Sequence, residues 1–400
     1  MNFDVCVFIT SYFPPSRMAG ARRPFLIALR LVEIGVPVLI RNKYGWTLCK
    51  NADELVDFCR KSTDTGRFVT PGLLGLILRH SKNLLVLPEA LLGLLRGINA
   101  VRSLPHSYLS SARHILILST TPPITTGFAG CVLKCWFTVK GQTSKLWFDY
   151  RDEWATNPII LRPKVSQKLA IRLEKIIVRA SELLTLVAES QERRMLYTQI
   201  RPTKLIYNGY NQIELSYLVS AFGQEESNAL LVGLLPNTYV VYPGSFPRNI
   251  YDYREFQLLH KRLIAQNITL VIAGGEADPS EGFFNISKLP GVLVIPRMKY
   301  GQLIPLLKNS LGGVLFTLKA DFGGYLTTKV FDYTALGLPI IFSDKMNNDE
   351  LRNFLTKIGH PVFSLENLPD LKSSKKNDSL NINLYKNQFD SALDVLTRTV

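Results

Sequence analysis

The sequence predicts an α/β protein made of two Rossmann-like, doubly wound domains facing each other across a cleft. Three observations predict it. Apolar runs of strand length alternate with helix-period segments before residue 210, and the same alternation restarts near residue 238. At 400 residues the chain is also too long for one ordinary core, given roughly 100–200 residues per domain.

In the first half, VCVFIT (5–10), VPVLI (36–40), HILILS (114–119), KLWFDY (145–150), LLTLVA (183–188) and KLIYNG (204–209) read as strands buried on both faces. Helices fall between them, for example Ala21–Glu33 and Val165–Ala180. The second half restarts with YVVYPG (239–244), ITLVIAGG (268–275), VLVIP (292–296), GGVLFTL (312–318) and PIIFS (339–343). An N-terminal Rossmann-like domain is therefore expected at 1–210, a linker at 211–237 and a C-terminal Rossmann-like domain at 238–384. A last helix at 385–400 is expected to return toward the N-terminal domain. The linker assignment rests on the polar run Gln224, Glu225, Glu226, Ser227 and Asn228. Ligands of such sheets bind beyond the carboxyl ends of the strands, so both domains would line the cleft.

Residues from about 55 to 108 break the rhythm and read as a helical insert. The leucines of LLGLILRHSKNLLVLPEALLGLLRG have helical spacing with basic residues among them. That pattern fits an amphipathic hairpin lying on a bilayer, or a helical pair packed on its own domain. Arg79, His80, Lys82, Pro88, Glu89 and Arg96 interrupt it well short of the roughly 18–20 apolar residues a span needs. The start, MNFDVCVFIT, lacks a basic n-region and reads as a strand, not a signal peptide. Five cysteines with wide spacing suit a reducing compartment, so a cytoplasmic protein, peripheral on the inner membrane face, is expected. Cys131 and Cys135 have no neighbouring His or Cys to complete a metal site.

The net charge of +15 is uneven. Residues 1–200 hold 27 Lys and Arg against 14 Asp and Glu, whereas residues 201–400 hold 20 against 18. A basic N-terminal half suits an anionic membrane surface or phosphorylated ligands. Zinc-finger, RNP and KH signatures are missing, so no nucleic-acid partner is expected.

The first βα turn, ITSYFPPSRMAGARRP, places Gly20 just before a helix, where a ligand phosphate or sugar could approach backbone amides. It is not G-x-G-x-x-G, which disfavours a nicotinamide dehydrogenase.

At this point the chain resembles glycosyltransferase family 4. Members open with a strand, a proline-containing glycine loop and a helix ending before a G-x-x-V stretch, here Gly35-Val36-Pro37-Val38. STTPPITTG (119–127), WFDYRDEW (147–154), RLEKIIVRASELLTLVAES (172–190) and IYNGYN (206–211) are similar to later landmarks of its N-domain. PGSF (243–246), VIAGGE (271–276) and above all YLTTKVFDYTALGLPII (325–341) are similar to its C-domain, the last in the form used by bacterial surface-polysaccharide members. The resemblance implies a GT-B fold and retaining, metal-independent transfer of a sugar from a nucleotide-sugar donor to a glycan or lipid-linked glycan acceptor. A nucleotide-sugar epimerase of the same fold and a non-catalytic, membrane-associated partner subunit are the alternatives.

The last segment supports a donor site on its own physics. A strand ends in KADFGGYL, covering Gly323, Gly324, Tyr325 and Leu326, and a helix starts near Thr327 or Thr328. Its first turn suits a diphosphate. Lys329 adds a full charge, and Asp332, one turn deeper, could accept from ribose hydroxyls. The same residues would equally make a threonine-capped helix with Asp332 on a solvated face.

The sequence also departs from the family. Gly324 stands where the first of two glutamates is usual, leaving Asp332 at the second position. Ser245 replaces the basic residue after the first C-domain strand, which leaves Arg248 or Arg254 as diphosphate partner or as surface charges. Arg151 stands where a histidine is common. Asp149, Arg151 and Asp152 would then face the cleft, with Asp152 and Arg151 as the catalytic candidates, unless they form a pair that fixes the loop before Trp154.

Overall fold

The computed structural model describes residues 3–14, 19–42, 45–61, 86–157, 162–195, 198–222, 234–246, 250–274, 286–319, 324–373 and 384–398. Arg79, Lys82, Arg248, Gly323 and the polar run at 224–228 lie outside them. The chain divides into two compact units, Met1–Tyr207 with Leu384–Val400, and Asn208–Asn383.

The first unit holds a seven-stranded sheet of β1 (Val5–Ile9), β2 (Val38–Asn42), β3 (Gly45–Cys49), β4 (His114–Thr121), β5 (Thr143–Tyr150), β6 (Leu183–Leu186) and β7 (Thr203–Leu205). Its order is β3-β2-β1-β4-β5-β6-β7, parallel except for the β2–β3 hairpin. The order reverses between β1 and β4, which makes that junction a switch point. Strands such as β4 are apolar on both faces because helices cover both sides. These helices include α1 (Arg22–Glu33), α2 (Ala52–Lys61), α3 (Val86–Ser103), α4 (His106–Leu109), α5 (Thr125–Val139), α6 (Lys164–Ala180) and α7 (Glu189–Arg194).

The insert contributes α2, α3 and α4, while residues 62–85 fall outside the described set. One edge of α3 is small: Ala90, Gly93, Gly97 and Ala100 follow each other at three- and four-residue steps and are buried. A Cβ added at Gly97 would lie 2.5 Å from Val132 Cβ of α5, and one at Gly93 2.7 Å from Phe128 Cβ. The two helices therefore pack backbone to side chain. The outer edge is apolar and exposed, with Leu87 at 60%, Leu91 at 56% and Leu95 at 47%. Arg96 is not on that edge: it turns toward α5 and donates to Thr125 Oγ1. No described helix is long and apolar enough to cross a membrane.

The second unit holds an all-parallel six-stranded sheet of β8 (Tyr239–Pro243), β9 (Thr269–Ala273), β10 (Val292–Ile295), β11 (Gly313–Val314), β12 (Ile340–Phe342) and β13 (Val362–Ser364). Its order is β10-β9-β8-β11-β12-β13, with the switch point between β8 and β11. Its helices are α8 (Gln212–Ala221), α9 (Tyr253–Ala265), α10 (Tyr300–Lys308), α11 (Thr328–Ala335) and α12 (Asp349–Lys357). Within the expected strand 312–318, the regular strand covers only Gly313 and Val314, and Leu318 forms an isolated antiparallel bridge with Tyr251. Between the two, Glu255 takes both the Thr317 amide, at 2.8 Å, and the Thr317 hydroxyl, at 2.6 Å. The expected linker also needs correction, because its start is helical. Asn211 and Glu214 form a capping box, and Leu215, Leu218 and Ala221 are buried within the second unit.

The last helix, α13 (Leu384–Arg398), belongs to the first unit. Tyr385, Phe389, Ala392 and Leu396 are buried, and the Phe389 ring lies 5.5 Å from that of Trp147. Gln388 Oε1 accepts the Tyr207 amide at 2.9 Å, so the points where the chain leaves and re-enters this unit are bonded together.

Candidate functional site

In the second unit, the expected donor residues gather at the carboxyl ends of β8 and β9 and at the start of α11. The N-cap Thr327 has extended backbone, yet its side chain makes no capping bond. Its Oγ1 is buried and has no hydrogen-bond partner among the described residues. A threonine there usually caps the first turn, so an uncommitted hydroxyl at a helix N-terminus is an unspent polar group at a positive pole. Lys329, in the first turn, reaches back over the end of β8, with Nζ 4.9 Å from the Tyr242 ring centroid.

Glycines make room for that lysine. Gly244, just after β8, has φ +154°, and a Cβ there would meet Lys329 Cε at 3.1 Å. Gly274, just after β9, has φ +120°, and its Cβ would press on Gly244 Cα at 3.3 Å. Two strand ends bare of side chains thus lie beside a cation and a helix N-terminus. Ser245 joins them through its carbonyl, which accepts from Tyr242 Oη at 3.4 Å.

The loop into α11 is held from behind. Asn348, 1% exposed, accepts the Tyr325 amide at 3.1 Å and donates to the Tyr325 carbonyl at 2.7 Å. Burial pushes the Tyr325 phenol up to about 12, and Leu326 and Gly324 are buried. Asn348 was not foreseen, because it acts from 23 positions along the chain. Thr328 is half-buried beside Lys329.

Asp332 differs from its expectation. It is 1% exposed, and its Oδ1 receives the hydroxyls of Tyr210 and, at 2.9 Å, Tyr300. One turn into α11 the helix face has already rotated into the protein, so the carboxylate organises two tyrosines behind the site. Arg254, fully at the surface, pairs with Asp252 at 2.8 Å. A cavity of about 550 Å³ lies near the ends of β11 and β12, bordered by Arg254, Lys319, Lys345, Glu255 and Glu366. Lys329 does not border it.

The four remaining expected residues are in the first unit. Arg151 is 6% exposed and donates to the carbonyls of Thr121, at 2.9 Å, Pro122, at 3.2 Å, and Gly20. It ties the first βα turn to the end of β4, which corrects its assignment as a catalytic, cleft-facing group. Gly20 is explained by the same contact, since a Cβ there would lie 3.0 Å from the guanidinium. Asp149 is wholly buried and paired with Arg23 at 2.6 Å, so it does not face a cleft either. Arg23 also donates to the Ile206 carbonyl at 2.6 Å, joining α1 to the end of β7. Asp152 alone is exposed, and surrounding protein raises its pKa against the pull of Arg151.

Beneath that loop sits a carboxyl that sequence reasoning passed over. Glu174 on α6 is 0% exposed, and burial pushes its pKa up to about 8 against the backbone amides of Ala155 and Trp154. The helix that carries it packs Ala170, Ile177 and Val178 into the core of Phe148, Tyr150 and Trp154.

No family model matches the sequence, and no curated protein matches it. Solved structures do. The UDP-GlcNAc 2-epimerase of Neisseria meningitidis bound to UDP-GlcNAc is 12% identical, with 99% of each chain covered and a TM-score of 0.54. The Methanocaldococcus jannaschii UDP-GlcNAc 2-epimerase, in complex with UDP-GlcNAc and UDP, is 10% identical over 98% of this chain and 99% of that one, with a TM-score of 0.50. A trehalose-6-phosphate synthase is 12% identical over 98% and 95%, also at 0.50. At such identity the likeness establishes the fold: this chain has the GT-B fold, two Rossmann-like units in one polypeptide.

Proposed function

We propose that the protein is a retaining glycosyltransferase of the family 4 type that takes a sugar from a nucleotide diphosphate donor bound in the second unit. The observation that carries this reading is Lys329 lying along Gly244 at the start of α11, beside the uncommitted Thr327 hydroxyl. A cation, a helix N-terminus and a bare backbone floor suit a diphosphate leaving group. Transfer then needs no divalent ion, and turnover is expected to survive EDTA. Asp152, the exposed carboxylate just after β5, is the candidate base for the acceptor hydroxyl. The acceptor is a glycan or lipid-linked glycan of surface-polysaccharide synthesis, met at the cytoplasmic face of a membrane.

Calorimetry with UDP, GDP, ADP and dTDP tests the donor site. Lys329→Ala removes a charge-assisted contact of about 1.5–3 kcal/mol, or roughly ten- to hundredfold in affinity. The parent nucleoside is expected to bind both proteins alike. Equal diphosphate binding by both would place the donor elsewhere. Two of the similar structures hold UDP-GlcNAc, so UDP-GlcNAc is the first donor to incubate without acceptor. Conversion of its sugar to an isomer under those conditions would replace transfer by epimerisation.

A further inference from the structure

The loop after β5 is built around one open position. Of Arg151–Ala155 only Asp152 is exposed. The residues on either side of it are tied down by other elements. Gln191 of α7 donates to the Arg151 carbonyl at 2.6 Å, and Arg194 of the same helix donates to Glu153 Oε1 at 2.6 Å. The Trp154 amide donates to Tyr150 Oη at 2.7 Å.

Trp154 is the residue on which this loop turns inward. Its ring is buried in one core with Phe148, Tyr150 and Ala155. A buried indole N–H needs an acceptor, and leaving it without one costs the full desolvation of the group. Glu89 supplies the acceptor, taking Trp154 Nε1 on its Oε2 at 2.6 Å. Arg162 closes the other side, with its guanidinium 5.2 Å from the ring centroid and a bond to the Trp154 carbonyl.

Glu89 stands in the first turn of α3, and Val86 and Ala90 beside it pack in the same core as Trp154. An acid in a first turn also suits the helix dipole, but any solvated orientation would serve that role. Here the carboxylate is turned onto a buried ring, 65 positions along the chain and next to the loop's one exposed acid.

We infer that Glu89 is a positioning residue for Asp152, acting through the Trp154 indole to hold the loop after β5 in the conformation that presents the Asp152 carboxylate. Its effect on turnover rests on the reading of Asp152 as the acceptor base, whereas the positioning itself is read from Asp152 without turnover.

The test is made on the full chain by NMR and steady-state kinetics. The Trp154 indole N–H signal is assigned by its loss in Trp154→Phe. Glu89→Leu removes the acceptor and is expected to open that N–H to fast hydrogen exchange and to lower kcat roughly tenfold, with UDP affinity unchanged. Glu89→Gln keeps an acceptor of the same length and is expected to recover both the exchange protection and most of kcat. If Glu89→Leu does not fold, Trp154→Phe keeps the ring, removes the donor and is expected to lower kcat in the same way. Equal losses in Glu89→Gln and Glu89→Leu, or an indole that stays protected in Glu89→Leu, overturn the inference. Should Asp152→Asn leave turnover unchanged, the base reading fails, and Glu89 is then scored on the titration of the Asp152 carboxyl. Surrounding protein holds that carboxyl up, and the charges acting on it are those of Arg151 and Glu153, not of Glu89. A loosened loop is therefore expected to bring its pKa down in Glu89→Leu and Trp154→Phe but not in Glu89→Gln. An Asp152 titration that is the same in all three variants as in the wild type overturns the positioning role.

Discussion

Glu174 shows what one buried proton does to the whole protein. Its carboxyl titrates near pH 8 in the folded state, against an ordinary value of 4.5. Between those limits the folded chain holds a proton the unfolded chain has released, so stability falls as pH rises through this window and levels off above it. The span corresponds to a few kcal/mol at most, on the order set by 1.4 kcal/mol per unit. Glu174→Gln keeps a neutral side chain at every pH and is expected to flatten the dependence of Tm on pH between about 5 and 8. An unchanged slope in the variant would show that other groups set it. Asp152→Asn is expected to lower kcat while leaving UDP affinity near wild type, whereas a matching loss of Tm would make Asp152 a loop-fixing residue. Lys329, Thr327 and Asp152 lie at element ends, which local spacing in the sequence is able to place. The sequence could not separate Arg151 from them, since three carbonyls distant in sequence decide where its guanidinium goes. Asp332 was misjudged for a similar reason: its two tyrosine partners lie 122 and 32 positions away.

Among the elements, α3 has two edges that do different work. The glycine edge fixes it on α5, and Gly97→Val would drive a side chain into Val132, at an expected cost of about 1–3 kcal/mol. The outer edge of Leu87, Leu91, Leu94, Leu95 and Ile98 is left open among the described residues, each residue being 41% exposed or more. The neighbouring α6 adds exposed Lys164, Lys168, Arg172 and Arg179, while its one acid is the buried Glu174. Aliphatic side chains beside cations suit an anionic bilayer. Leu91→Ser with Leu95→Ser is expected to abolish cosedimentation with phosphatidylglycerol vesicles and to leave Tm close to wild type. Vesicle binding equal to wild type would exclude α3 as the contact. Strands carried by long apolar runs were legible in the sequence. β3 was not, because GWTLC is a short, half-buried antiparallel edge, and β13 has only three residues.

For the whole molecule, α13 makes the first unit discontinuous in sequence. Phe389 and Tyr385 fill the side of β5 at Trp147, so Phe389→Ala is expected to destabilise that unit by about 3–5 kcal/mol. Scanning calorimetry separates this from the donor site. UDP at 100 times its Kd adds about 2.7 kcal/mol to the unit that binds it. A shift of the second unit's transition with UDP, in wild type and Phe389→Ala alike, is the expected result. A Phe389→Ala protein whose UDP-sensitive transition falls with the other would mean that the two units melt as one.

The bond between Tyr207 and Gln388 also sets a timetable for biosynthesis. A ribosome delivers residues 1–207 first, yet their core lacks its covering helix until residue 396 has left the exit tunnel. By then the whole of 208–383 has emerged and is free to fold as a unit. The half that is translated first is therefore the half that is completed last, and in the interval Trp147 and the strand beneath it are held in nascent chain, open to chaperones.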